Sequence, residues 1–134
     1  MDRVVDTYES AVRSFVRDDP TPAPPVSSLD GRPVVYVVGS DGDPIDPRIQ
    51  AAVVKRLVND VDLRFADHRQ EAFDGDGVVH DGGALIELGS IPDDEERFDV
   101  EAVWQRSRAE RRELAMSFQV EGEEVTVTGT SVLD

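Results

Sequence analysis

The chain has 134 residues, no cysteine and a formal net charge of −15, set by 29 acidic against 14 basic side chains. This length fits one domain with an ordinary hydrophobic core, and the lack of cysteine excludes disulfides, thiol catalysis and Cys-ligated metal centres. The negative charge argues against nucleic acids and anionic membranes as partners, because both need a positive surface. No apolar run is long enough to span a bilayer and no secretory pattern opens the chain, so we expect a cytoplasmic protein.

The composition resembles that of proteins from halophiles that keep molar salt in the cytoplasm. Lys55 is the only lysine beside thirteen arginines, aspartate outnumbers glutamate by 18 to 11, and valine outnumbers leucine and isoleucine together by 21 to 11. At about 1 M salt the Debye length is about 3 Å, so repulsion among the acids is screened. The resemblance implies a fold adapted to a salt-rich cytoplasm; the alternative is an acidic protein of ordinary salt, or one whose acids bind a basic partner.

The first predicted element is an amphipathic helix over residues 2–17. Its apolar side chains recur at spacings of three and four residues, at Val4, Tyr8, Val12, Phe15 and Val16. Residues 19–33 contain five prolines, which predicts an extended linker with no secondary structure of its own. Helix 1 is therefore expected to pack as an arm on the α+β body over residues 34–132, or to engage a second copy of the chain.

The next segments alternate strand and helix. Val34 to Val38 is a β-branched apolar run that predicts a buried strand, and Asp46 and Pro47 predict the start of a helix over about 47–60. Asp62 to Asp67 and Ala84 to Ile91 read as two more strands. The glycine- and aspartate-rich residues 72–83 between them predict a flexible loop or a wide hairpin turn.

The last third has helical propensity but strand periodicity. Phe98, Val100, Ala102 and Trp104 alternate without a gap, as do the apolar residues from Leu114 to Val120. A helical face continued from Val100 would present serine and arginines, so the alternation decides for strands. With residues 106–112 as its longest turn, the segment predicts an antiparallel meander that ends near Thr128.

This element order predicts an α+β fold, with two helices packed on one face of a curved, mostly antiparallel sheet of five to six strands. The order resembles that of the NTF2-like and cystatin-like folds, in which a curved sheet wraps a helix. An NTF2-like fold implies a cavity in which a histidine and an aspartate act as an acid–base pair on a small molecule.

Two histidines flank the glycine-rich segment and are the main candidates for chemistry. His68 and His80, with Asp67, form the candidate catalytic set, since histidine is the natural base near neutral pH. If His68 and His80 face each other across a hairpin, they could share a divalent ion with an aspartate. The candidate metal ligands are Asp74, Asp76 and Asp81. The alternative is that both histidines are solvated loop residues beside acids.

A second group of acids lies between the first strand and the second helix. Asp41, Asp43 and Asp46 follow the carboxyl end of a buried strand, where carboxylates can hold Mg²⁺. The alternative is structural, with Asp46 as a helix cap and the others as turn residues. We favour the structural interpretation and predict no cofactor.

An arginine cluster follows an acidic stretch. Residues 67–101 hold twelve acids and two arginines, whereas residues 104–112 hold four arginines against one glutamate. The cluster could grip a phosphate or carboxylate, or pair with acids of the same or a neighbouring molecule, which we favour. Its members are Arg106, Arg108, Arg111 and Arg112.

The sequence contains no nucleophile elbow and no phosphate-binding glycine pattern. The leading hypothesis is therefore a small non-enzymatic domain that acts through protein–protein contacts, either by self-association or with another protein. The alternative is a binder of small molecules, or an acid–base or metal-dependent enzyme of NTF2-like type.

Overall fold

The computed structural model describes residues 2–17, 32–39, 45–92, 94–122 and 124–133. These residues form two helices and six strands, in the α+β class that the element order predicts. The helices are α1 (Asp2–Arg17) and α2 (Pro47–Leu57). The strands are β1 (Val34–Gly39), β2 (Asp62–Ala66), β3 (Ala84–Leu88), β4 (Arg97–Gln105), β5 (Arg111–Glu121) and β6 (Glu124–Val132). The predicted proline-rich linker lies almost wholly outside the described residues.

The strands form one open sheet in the order β2-β1-β3-β4-β5-β6. Strand β1 pairs in parallel with both β2 and β3, and the remaining three pairs are antiparallel. The predicted meander is confirmed as β4, β5 and β6. The wide hairpin turn predicted for residues 72–83 is wrong, because β2 and β3 lie on opposite sides of β1 and the segment between them crosses that strand.

Both helices pack on one face of the sheet, as predicted. Trp104 in β4 is 1% exposed and stacks on Phe15 of α1, with ring centroids 4.8 Å apart and planes 5° from parallel. Val12 of α1 and Leu57 of α2 belong to the same buried cluster. Helix α1 is therefore part of the main core, as one of the two helices expected on one face of the sheet.

The segment that connects β2 to β3 packs on the opposite face of the sheet, where it covers β1 and β3. This segment contains two 3₁₀ turns, Arg69–Ala72 and His80–Gly82. A second buried cluster forms beneath it from Val38, Ala72, Val79 and Leu85. Over β4 to β6 the same face carries mostly charged, polar and small side chains, such as Glu101, Ser117 and Gly129, so the segment shields only part of the sheet.

Neither of the two helices in the described ranges has the length and apolar character needed to cross a bilayer.

Candidate functional site

A small cleft of about 230 Å³ opens at the carboxyl ends of β1 to β3. Strands β2 and β3 lie on opposite sides of β1, so the connections to them run in opposite directions from this strand. Clefts at the carboxyl ends of parallel strands where the connections diverge in this way commonly bind ligands. The cleft is lined by Val38, Gly39, Asp67, His68, Arg69, Gln70 and Glu87. The structure therefore brings two of the three candidate catalytic residues, Asp67 and His68, into one cleft, and both are exposed.

Two of the lining residues, Arg69 and Glu87, form an ion pair with each other. Arg69 donates to both carboxylate oxygens of Glu87, from Nε at 3.1 Å and from Nη2 at 2.7 Å. These hydrogen bonds raise the pKa of the Arg69 guanidinium above its ordinary value. Because two of its nitrogens are bound to Glu87, Arg69 presents little of its charge to a ligand.

His80, the third candidate, is half-buried and does not line this cleft. Its ring lies beside that of Tyr36, at 6.5 Å between centroids. The neighbouring Asp81 pairs with Arg64 at 2.6 Å. Since β2 and β3 form no hairpin, the arrangement that would place His68 opposite His80 across a hairpin is absent from the described sheet.

Two of the predicted metal ligands, Asp74 and Asp76, lie together in a tight turn. One Asp74 carboxylate oxygen accepts hydrogen bonds from the backbone N–H groups of Asp76, at 2.8 Å, and Val78, at 3.1 Å. These bonds stabilise the ionised form and lower the pKa of Asp74. Within the described ranges, no three His, Asp or Glu side chains are grouped so that they could hold a metal ion.

Asp46 caps α2, as the structural interpretation of the second acidic group predicts. Its side chain accepts a hydrogen bond from the backbone N–H of Arg48 at 2.9 Å, and Pro47 opens the helix. Asp41 and Asp43 lie outside the described residues, so their structural role stays a prediction and the magnesium alternative is untested.

The arginine cluster is spread over the β4–β5 turn and the start of β5. Arg108 lies over the ring of Phe73 at 5.7 Å, and its backbone N–H donates to the carbonyl of Gly77. Arg111 forms an ion pair of 2.8 Å with Glu113, and Glu113 lies outside the acidic stretch of residues 67–101. Arg112 donates to the Arg111 carbonyl, and the Arg106 carbonyl accepts from the Val79 backbone N–H. Several of these contacts fasten the turn to the segment that covers β1 and β3.

The two edges of the sheet differ in charge and exposure. Strand β2 is five residues long, and its Arg64 pairs with both Asp62 and Asp81. Strand β6 is nine residues long, and residues 125–133 contain no charged residue in a chain that is 32% charged. Val132 and Leu133 at its end are 56% and 55% exposed. Charged side chains and short length commonly protect edge strands from pairing with other chains. Strand β2 is short and charged, whereas β6 is long and neutral after Glu124.

Near its end, β6 directs backbone hydrogen-bonding groups away from β5, whereas at its start the Val125 carbonyl accepts a hydrogen bond from the Ser10 hydroxyl of α1. The N–H of Leu133 donates to the carbonyl of Glu113 in β5 at 2.8 Å. Because the direction alternates along a strand, the N–H and C=O groups of Ser131 also point toward β5, and those of Thr130 and Val132 point away from it. Among the described strands, none lies on that outer side.

A groove of about 330 Å³ accompanies this edge on the helix-covered face. Ser14, Phe15 and Arg17 of α1 line one wall, and Leu114 of β5 with residues 127–130 of β6 line the other. Thr130 and Val132 lie on this face, because they oppose the core residues Met116 and Leu114. A strand added to β6 would therefore have a place for its side chains beside the groove.

The β6 edge was missed by sequence reasoning that looked for charged and catalytic residues. The signal that could have found it is a lack of charge, since residues 125–133 form an uninterrupted neutral run of nine. The alternation in this run predicts only the last strand of a meander, ending near Thr128. Its position at the edge of the sheet follows from the strand order, which the sequence pattern does not reveal.

Comparison with known protein families, curated proteins and solved structures finds no match to this chain.

Proposed function

We propose that this chain is a non-enzymatic protein-interaction module that binds a partner by adding a strand at the outer edge of β6. The observation that carries the proposal is the neutral edge formed by residues 125–133, exposed over residues 128–133, in a chain with a net charge of −15. In strand addition, backbone hydrogen bonds supply affinity and alternate side chains supply specificity. Thr130 and Val132 supply the backbone groups, and the groove beside α1 receives side chains.

The alternative function, acid–base chemistry on a small molecule, has less support. Asp67 and His68 share a cleft of about 230 Å³, but His80 does not line it and Arg69 is held by Glu87. A binding site for a drug-sized ligand has a volume of about 300–1,000 Å³ and a mostly apolar lining. The cleft is smaller than this and lies among charged side chains.

The proposed setting is a salt-rich cytoplasm. Two chains or a chain and an acidic partner repel each other in dilute buffer, and concentrated ions reduce this repulsion. The neutral run of residues 125–133 lets another chain approach the edge of β6 without meeting charged side chains of that run.

The proposal predicts that β6 binds an extended peptide. A fluorescein-labelled peptide of residues 124–133 should bind the full-length chain in molar KCl, measured by fluorescence anisotropy. Val132→Lys should weaken this binding at least tenfold, or about 1.4 kcal/mol, because a lysine on the edge must lose its hydration when a strand pairs beside it.

The matched control is Val58→Lys, because Val58 is a second exposed valine, 46% accessible, that follows α2. This variant has the same charge change and should bind the peptide like the wild type. Equal binding by the Val132→Lys and Val58→Lys variants would contradict the proposal, and so would the absence of binding by the wild type.

A further inference from the structure

We infer that the partner of β6 is a second copy of this chain, paired antiparallel about a twofold axis at Ser131, and this inference rests on the strand-adding role proposed for β6. The paired segment is residues 129–133 of each copy. This segment is neutral and follows the register shift between β5 and β6 at Ser117 and Phe118, so it forms a regular stretch of edge.

The register follows from the direction of the backbone groups. Only Thr130 and Val132 direct their N–H and C=O groups outward within this segment, since Leu133 donates to Glu113 and Ser131 alternates with Thr130 and Val132. With Ser131 on the axis, Thr130 of each copy opposes Val132 of the other. Each opposed pair exchanges two hydrogen bonds, so the contact contains four.

The same register matches the faces of the two sheets. Thr130 and Val132 both lie on the helix-covered face, because they oppose Met116 and Leu114 in β5. Opposed residues share a face in an antiparallel pair, so the helices of both copies lie on the same side of a continuous sheet. Val132 of the second copy then lies beside Thr130, at the groove that α1 and β6 form.

Charge favours the antiparallel direction over the parallel one. Glu121 and Glu124 lie at the turn that opens β6, seven or more residues before Ser131. Parallel pairing in register would set the two Glu124 side chains about 5 Å apart, the distance between neighbouring strands. The antiparallel register separates them by fourteen residues along the strand direction, or about 48 Å, which exceeds the Debye length both in dilute buffer and in molar salt.

The chain has no native cysteine, so single-cysteine variants test this register directly. Ser131 on the axis forms a pair without hydrogen bonds, in which the Cα atoms lie about 4.5 Å apart, within the range that a disulfide bridges. In molar KCl under a glutathione redox buffer, Ser131→Cys should convert most of the chain to a disulfide-linked dimer. Thr126→Cys, an exposed position on the same strand, is the control and should stay at least tenfold less cross-linked, because its two copies lie about 34 Å apart along the strand.

The outcomes separate this inference from the proposed function. Equal cross-linking of both variants would overturn the register, since it indicates parallel pairing or random collision. A wild-type dimer in sedimentation without cross-linking at position 131 would place the contact elsewhere and would also overturn it. A monomer at all concentrations that still binds the labelled peptide would overturn the second copy as partner and leave strand addition standing. If neither cross-linking nor peptide binding is seen, no strand is added at this edge and both proposals fail.

Discussion

Trp104→Ala is expected to destabilise the fold by about 3–5 kcal/mol, the usual loss when a buried large aromatic side chain is removed from a core. Trp104 is 1% exposed, lies opposite Ile86 in β3 and stacks on Phe15 of α1. The change therefore leaves a cavity where α1 meets the sheet. Since domains of this size are stable by about 5–15 kcal/mol, the variant should lose a large part of its stability.

Chemical denaturation followed by circular dichroism measures this effect, because Trp104 is the only tryptophan and its removal abolishes the fluorescence signal. Val103→Ala is the matched control. Val103 is the neighbouring residue on the opposite face of β4 and is half-buried, so its truncation should change the free energy of unfolding by about 1 kcal/mol or less. A loss below about 1 kcal/mol for Trp104→Ala would show that α1 does not depend on this contact.

Thermal stability should rise strongly with salt. Between dilute buffer and molar KCl we expect the unfolding midpoint to increase by at least about 10 °C, or about 2–3 kcal/mol for a chain of this length. The reason is the excess of 29 acidic over 14 basic side chains, whose mutual repulsion is screened as the Debye length falls to about 3 Å. Exposed ion pairs such as Arg13–Asp60 weaken under the same conditions, but each contributes little to stability.

A parallel measurement in sucrose distinguishes the screening of charges from a general strengthening of apolar burial. Sucrose is excluded from protein surfaces and strengthens burial, but it leaves charges unscreened. Its effect on the midpoint should therefore be much smaller than that of KCl at concentrations that stabilise neutral proteins comparably. A midpoint that does not change between dilute buffer and molar KCl would contradict the halophilic interpretation.

The sequence predicted local structure well where periodicity was strong. The alternation of Phe98, Val100, Ala102 and Trp104 predicted both the strand and its buried face, and these four side chains are buried in β4. The cap at Asp46 and the start of the helix that follows it were also predicted, because capping depends on neighbouring residues only.

Features that depend on distant parts of the chain were not predicted. The parallel pairs of β1, the docking of α1 on Trp104 and the path between β2 and β3 all depend on contacts between remote segments. Element order alone fixes none of these. The contacts of the candidate site residues could not be predicted either. Asp74 accepts hydrogen bonds within a turn and Arg108 lies over Phe73, and both contacts depend on how the loops pack.

Residue-resolved hydrogen exchange of β6 tests most directly whether two copies of the chain pair at this edge. Exchange is measured by NMR on the full chain in molar KCl, across a range of protein concentrations. The account predicts that the amides of Thr130 and Val132, which point outward, gain protection as the concentration rises, while those of Ser131 and Leu133 are protected throughout by their bonds to β5. Unprotected Thr130 and Val132 amides at every concentration, beside protected Ser131 and Leu133 amides, would contradict the pairing of two copies at this edge.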